Sequence, residues 1–326
     1  MRFFQRTFQI LVVKCLILLL RNQKISRRII LSFDNNIVSD GIGAQLQRIL
    51  SIAAFAKYMG FGYCHTGIKN LTIQPTDPYN DETTRDDYVE KINNFFNIDN
   101  FAFNNHDNEK IYYSVLKPIH LVCTYFKLLF SGKTYELCVA EAYPIIDLHS
   151  IIYEEIKSLR LLNLNLLISS VKEYDLVIHF RSGTISQAMY HHQSTSRYLP
   201  ISYFDNLINL NFEFPDTIHG VCLTDSPKNS FTFKPLDSEL QNWIDMPGYN
   251  NGVVTIEATD FSLLKDKKIE IVYGGDPLTA LATMIRAKCF FMSRSSLSYV
   301  GALLNQSSNI FYPPGFWHPK LKAWKN

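Results

Sequence analysis

No Asp-x-Asp pair occurs anywhere in the 326 residues of this chain. Enzymes that hold a nucleotide diphosphate through Mn²⁺ or Mg²⁺ typically use two such aspartates, because a hard cation takes oxygen ligands at short range. A metal-dependent diphosphate site is therefore not expected, and no residue is assigned to a metal. Cysteine is sparse and scattered: Cys15, Cys64, Cys123, Cys138, Cys222 and Cys289 form no Cys-x-x-Cys pair and no zinc spacing. That pattern excludes the small zinc modules and points to free thiols in a reducing compartment. No Gly-x-Gly-x-x-Gly follows the first predicted strand, which speaks against a dinucleotide-dependent dehydrogenase. No period of 20–50 residues indicates a repeat protein. Charged residues make up 19% and the formal net charge is only +2, so no basic face advertises a nucleic-acid partner.

Long apolar runs are also missing. Phe8 to Leu20, apolar except for Gln9 and Lys14, spans 13 residues, whereas crossing the hydrocarbon core takes about 20. No small-residue cleavage site follows Leu20, as a signal peptide would need. Arg2, Arg6, Arg21, Lys24, Arg27 and Arg28 flank the run. Two readings stand for it: a helix lying on the cytoplasmic face of a membrane with its basic residues toward anionic lipid, or a helix packed on the first domain.

What the chain does have is apolar and aromatic material, 47% and 13% of its residues, enough for a folded enzyme with one large core or two domains of about 150 residues. Ile29 to Phe33 is a strand-type run, Ala44 to Met59 a helix of good formers ended by Gly60, and Phe61 to His65 the next strand. This β–loop–α–β opening predicts a parallel sheet. Pro75 to Asn108 is polar and predicts surface loops and short helices; Ile111 to Phe130 and Leu148 to Val171 predict helices. Beyond a junction placed within 164–174, strands are predicted at 176–180, 219–224, 270–273 and 289–293, with helices at 201–210, 278–287 and through 299–304. The predicted organisation is an N-terminal segment over 1–28, an acceptor-side Rossmann-like domain over 29–168 and a nucleotide-sugar domain over 169–326, the two facing each other across a cleft.

Candidate site residues sit where predicted strands end. Leu176 to Ile178 runs into His179-Phe180-Arg181-Ser182-Gly183, and strand alternation puts His179 and Arg181 on one side with Phe180 on the other. A guanidinium supplies planar, permanently charged donors, which suit a diphosphate leaving group. Asp225 follows the next strand, placed either to bind sugar or base or to cap a turn. Asp276, after Gly274-Gly275, opens a helix; Ser293, Ser295, Ser296 and Ser298 form a hydroxyl-rich loop that opens another, where free amides receive phosphate. Upstream, Asp40-Gly41-Ile42-Gly43 opens the first helix with Gln45 and Arg48 on its first two turns. There the glycines serve either close approach to a ligand or a tight turn.

Together these pieces resemble the superfamily of GT-B-type fucosyltransferases, which includes the alpha-1,2-fucosyltransferases and the protein and core fucosyltransferases. Asp40-Gly41-Ile42-Gly43-Ala44-Gln45 is similar to the family's G-x-G-N-Q loop, His179-Phe180-Arg181-Ser182-Gly183 to its H-x-R-R-G-D strand end, Leu223-Thr224-Asp225-Ser226 to its T-D-D loop, and Gly274-Gly275-Asp276-Pro277 through Ser295-Ser296-Leu297-Ser298-Tyr299 to its serine-rich motif. The chain departs from the family at Ala44, Ser182 and Thr184, which leaves the donor sugar open. The resemblance implies that Arg181 holds the donor diphosphate and that Asp225, Ser295 and Ser296 help bind the nucleotide-sugar. It further implies inverting transfer of fucose from GDP-fucose to a glycan hydroxyl, a lipid-linked acceptor in surface polysaccharide synthesis fitting a peripheral membrane protein, with no cofactor. Asp40 is the first candidate for the general base and His179 the second. The altered strand-end motif keeps a second class in view, a nucleotide-sugar-binding protein that lacks catalysis.

Overall fold

Two parallel sheets flanked by helices organise the computed structural model of this protein, which describes residues 26–72, 82–101, 108–181, 198–214, 217–234, 249–307 and 309–326. The segment Phe8 to Leu20, and with it the predicted membrane helix, lies outside these residues, as do Ser182 and Gly183. The chain divides into one unit comprising Met1–Thr72, Asp86–Leu166 and His318–Lys322, and a second comprising Ile73–Arg85, Leu167–Trp317 and Ala323–Asn326. Among the described residues no helix is long and apolar enough to cross a membrane.

The first unit is built on β1 (Ile29–Phe33), whose five side chains are all buried. Such a continuous apolar run suits a parallel strand covered on both faces. The short β2 (Ser39–Asp40) leads into α1 (Ile42–Met59), which ends where Gly60 takes φ 70 and turns the chain through the left-handed region. β3 (Gly62–Tyr63) then pairs parallel with β1, and β4 (Asn70–Leu71) with β2. After α2 (Glu82–Phe95) come β5 (Asn108–Val115), α3 (Pro118–Ser131) and β6 (Thr134–Glu141). The sheet order is β3-β1-β6-β5 and every pairing is parallel. The unit continues through α4 (Tyr143–Ile146) and α5 (His149–Lys157).

Three expectations need correction here. Residues 111–115 are strand, not helix: Ile111, Tyr112, Tyr113 and Val115 are β-branched or aromatic and pair with β6. Pro118 then sits in the first turn of α3, with Lys117 held extended at φ −99 and ψ 154. The predicted helix over 148–171 is two helices, α5 and α6 (Leu164–Ser170). Between them Leu161 makes an antiparallel bridge with Ile98, and the Leu162 amide donates to Asn97 O at 2.9 Å, which removes the backbone from any helix. The polar stretch predicted as loops and short helices holds the 14-residue α2, with Tyr88 and Ile92 buried on one side.

In the second unit β7 (Leu176–Phe180), α7 (Ile201–Asn211), β8 (Gly220–Thr224), β12 (Glu270–Tyr273), α9 (Pro277–Arg286), β13 (Cys289–Phe291) and α10 (Ser296–Leu304) fall close to where patterning puts them, whereas the antiparallel strands β9 (Phe231–Phe233), β10 (Tyr249–Asn250) and β11 (Val253–Ile256), the short α8 (Ser262–Lys265) and β14 (Asn309–Phe311) lie outside the predicted elements. The main sheet runs β12-β8-β7-β13-β14, all parallel. Leu176, Ile178 and Phe180 point to one face, where Phe204, Ile208 and Phe261 complete the core. Phe180 alone meets Tyr198, Phe204 and Phe261 edge-on, at ring centroid distances of 5.9, 6.0 and 5.2 Å. Phe180→Ala is expected to cost about 3–5 kcal/mol, the range for emptying a close-packed aromatic site. Urea unfolding checks it, and a loss under about 1 kcal/mol would mean that the neighbours collapse into the space.

Candidate functional site

β7 lies between β8 on one side and β13 on the other. The chain leaves β7 toward β8 and β12, then returns to fill the opposite side with β13 and β14, so the connections diverge at the β7–β13 boundary. In open α/β sheets this reversal opens a crevice at the carboxyl ends of the strands, where ligands bind. His179 and Arg181 arrive there from β7, and Ser293, Arg294 and Ser295 from β13.

The two strand ends are tied across the reversal. His179 Nδ1 lies 2.7 Å from Ser293 Oγ, both groups buried. The Ser293 amide donates to Ser298 Oγ at 3.1 Å, and the Ser295 amide to Ser293 O at 2.9 Å. Ser293 and Ser298 are thereby committed to shaping the loop, while Ser295 and Ser296 stay partly exposed where α10 begins. That helix N-terminus carries partial positive charge. Arg181 forms an ion pair with Asp225 from the end of β8, both side chains mostly buried. Burial, reinforced by the charge of Arg181, pushes the His179 pKa down to about 3. A neutral imidazole of that kind positions the strand end well and takes up protons poorly.

Asp276 has a separate task. Its Oδ1 accepts from the Leu278 amide at 3.0 Å and its Oδ2 from Thr279 Oγ1 at 2.9 Å, capping α9. Gly274 and Gly275, at φ 65 and 94, make the left-handed turn out of β12, and the Gly274 amide reaches Thr224 O at 2.7 Å.

The sheet of the first unit reverses at the β1–β6 boundary, and the residues gathered there are acidic. Arg48, on the second turn of α1, joins them: Nη2 contacts Asp40 Oδ2 at 2.9 Å and Glu141 Oε1 at 2.6 Å, and Nε contacts Glu141 Oε2 at 3.2 Å. Burial works against the guanidinium charge, yet the two carboxylates outweigh it and raise its pKa above the ordinary value. Asp40 Oδ1 also accepts from the Gly41 amide at 2.8 Å. Gln45 is fully buried, and its Nε2 clips Asp40 O at 2.8 Å to Asn70 O at 2.6 Å. Gly41 has φ −64, and a Cβ built there would meet nothing within 4 Å, so the local backbone does not demand glycine. Gly43 is buried in the first turn of α1.

Sequence reasoning brought Asp40, Gln45 and Arg48 to one place and missed Glu141, the carboxylate that binds Arg48 through two atoms. The signal for Glu141 was its place at the end of Thr134-Tyr-Glu-Leu-Cys-Val-Ala-Glu, a strand hidden by two glutamates. Among the described residues no group of three or more His, Cys, Asp or Glu side chains is placed to hold a metal ion. No protein-family model matches the chain, and no curated protein matches it.

Proposed function

We propose that the protein is a metal-independent, inverting glycosyltransferase of the GT-B type, with the second unit binding a nucleotide diphosphate sugar and the first supplying acceptor-side groups. The observation that carries this reading is the strand reversal of the second sheet. Arg181 there stands with the N-terminus of α10 and the partly exposed Ser295 and Ser296, a set of donors suited to an anion. GDP-fucose is the donor that the family resemblance favours, and a glycan hydroxyl is the acceptor.

In the proposed reaction the acceptor oxygen attacks the anomeric carbon from the face opposite the diphosphate. The bond from that carbon to the diphosphate oxygen breaks, its electron pair leaves with the nucleoside diphosphate, and the acceptor proton passes to a carboxylate. Arg181 and the α10 amides would hold the leaving charge, stabilisation that matters most as that charge develops. Asp40 is the carboxylate assigned to the proton, its side chain 44% exposed beside Arg48. Glu141, 30% exposed on the same arginine, is the alternative acceptor of that proton.

The test is thermal unfolding with GDP, UDP, dTDP and their sugars, each in excess EDTA. A ligand present at about a hundred times its Kd adds about 2.7 kcal/mol of stability, so one nucleotide family should raise Tm by several degrees, and chelation should not abolish the shift. The absence of a shift with every nucleotide sinks the proposal. A shift that needs Mn²⁺ removes its metal-free part. Binding without release of nucleoside diphosphate in the presence of glycan acceptors would identify a binding protein instead.

A further inference from the structure

α3 is apolar on two opposite sides. Leu121, Thr124 and Leu128 are buried against the first unit, while Ile119, Phe126, Leu129 and Phe130 are 57%, 55%, 48% and 87% exposed. At about 100° per residue, Ile119, Val122, Cys123, Phe126, Leu129 and Phe130 fall on one arc of about 120°, centred opposite the buried stripe. A surface helix normally presents polar residues on that side. Here Lys127 lies near the margin of the arc, Lys117 caps the start of the helix and is exposed, and Lys133, beyond its end, is exposed but paired with Glu109 at 3.1 Å. From Lys110 to Tyr135 the chain contains neither Asp nor Glu.

The chain enters the first unit beside the same end of this helix. Arg28 donates from Nε and Nη2 to Lys133 O at 3.0 and 2.6 Å, and the first residue of β1, Ile29, is in register with Tyr135 of β6. Residues 1–28 are also free of Asp and Glu, and they contain the apolar run Phe8 to Leu20 with its flanking arginines. By sequence, the residues that precede β1 and those of α3 are thus both apolar, basic and free of acidic residues. Packing them on each other would set like charge against like, whereas an anionic surface attracts both and accepts their apolar side chains.

We infer that the outer face of α3, through Ile119, Phe126, Leu129 and Phe130 with Lys127 at its rim and the exposed Lys117 at the start of the helix, docks on an anionic lipid bilayer. The aromatic and aliphatic side chains enter the boundary between headgroups and acyl chains, and the lysines meet lipid phosphates. Cys123, exposed on the same arc, reports on the state of that face.

The full-length protein is treated with a water-soluble maleimide in buffer, with vesicles of phosphatidylcholine, and with vesicles of phosphatidylcholine and phosphatidylglycerol in equal parts. Modification of Cys123 is followed by peptide mass. Modification should be fast in buffer and with the neutral vesicles, and slowed about tenfold or more by the anionic ones. Slow modification in buffer overturns the proposal, because the face is then covered by protein; sedimentation distinguishes a second copy of the chain from its own residues 8–20. In flotation with the anionic vesicles, the full-length double variant Phe126→Glu, Phe130→Glu should bind at least about tenfold more weakly than the parent, with an unchanged circular dichroism spectrum. Replacing Lys117 and Lys127 by Glu should weaken binding roughly fivefold per lysine. Undiminished flotation of the phenylalanine variant would show that the bilayer engages other parts of the chain and that α3 has no part in it.

Discussion

Arg181→Ala is expected to lower kcat/KM for the proposed sugar transfer about a hundredfold or more, and to weaken binding of the free nucleoside diphosphate, while the protein stays folded. Loss of one preorganised donor to a developing oxyanion costs about 10² to 10³ in rate. Arg181 is partly exposed at the end of β7 and outside the core cluster built on Leu176, Ile178 and Phe180, so its removal should leave thermal unfolding close to that of the parent. The substitution deprives Asp225 of this partner; the double variant Arg181→Ala, Asp225→Asn tests whether the stranded carboxylate, and not the lost donor, causes the defect. Arg181→Lys restores charge without the planar fork and should recover only part of the activity. Near-parental turnover by folded Arg181→Ala would remove the diphosphate role of this residue.

Acid should unfold the protein sooner than its carboxylates alone would dictate. In the first unit His149 is fully buried; the single proton of Ser51 Oγ goes to Gln47 O at 2.6 Å, so the hydroxyl accepts from His149 Nε2 at 2.7 Å. His318 Nδ1 lies 3.2 Å from Gln47 Nε2 in the same buried network. Burial, with a smaller contribution from His318, pushes the His149 pKa down to about 3, and His179 in the second unit is depressed as far. An unfolded histidine titrates near 6.5, so the unfolded chain binds protons that the folded one refuses. The stability contributed by keeping these rings neutral is complete above pH about 6.5 and is lost as pH falls from there toward 3. Each ring adds about 1.4 kcal/mol of loss per pH unit within that window, a total on the order of a few kcal/mol by pH 5. Denaturant titrations at pH 7, 6 and 5 should show the slope, and His149→Gln, although less stable at pH 7, should lose about one proton's worth of it. Identical slopes for parent and variant would mean that His149 does not titrate as a buried neutral group.

The second unit was more legible in the sequence than the first, and the reason is physical. Its strands β7, β8 and β13 are short, almost purely apolar runs ending in polar residues, and α9 is opened by Asp276-Pro277, a cap and a first-turn proline. Local signals and the tertiary outcome agree there. In the first unit β6 is a central strand with Glu136 and Glu141 in it, and β5 joins directly to α3, so composition averaged over the window reads as helix. The carboxylate of Glu136 is kept in the buried strand by Ser32 Oγ at 2.8 Å and by Lys110 at 3.6 Å, partners over 20 residues away in sequence. The same distance in sequence hid Glu141 from the candidate site, because the Arg48 contact that identifies it joins residues 93 apart. The serines of the carboxyl-terminal loop were found as a group, but their division of labour was not: only coordinates separate Ser293 and Ser298, which shape the loop, from Ser295 and Ser296.

The Arg181–Asp225 pair also bears on how a catalytic cycle would close. A guanidinium waiting in water must shed solvent before it can receive a phosphate, whereas one already held by a carboxylate waits in the right orientation. That same carboxylate competes with every anion that arrives. In the proposed reaction the spent nucleoside diphosphate binds its site without the sugar, and Asp225 would be the group that takes the arginine back. Affinity for product is thereby capped by an internal rival, and Asp225→Asn should convert the protein into one that holds nucleoside diphosphate longer and turns over more slowly for that reason.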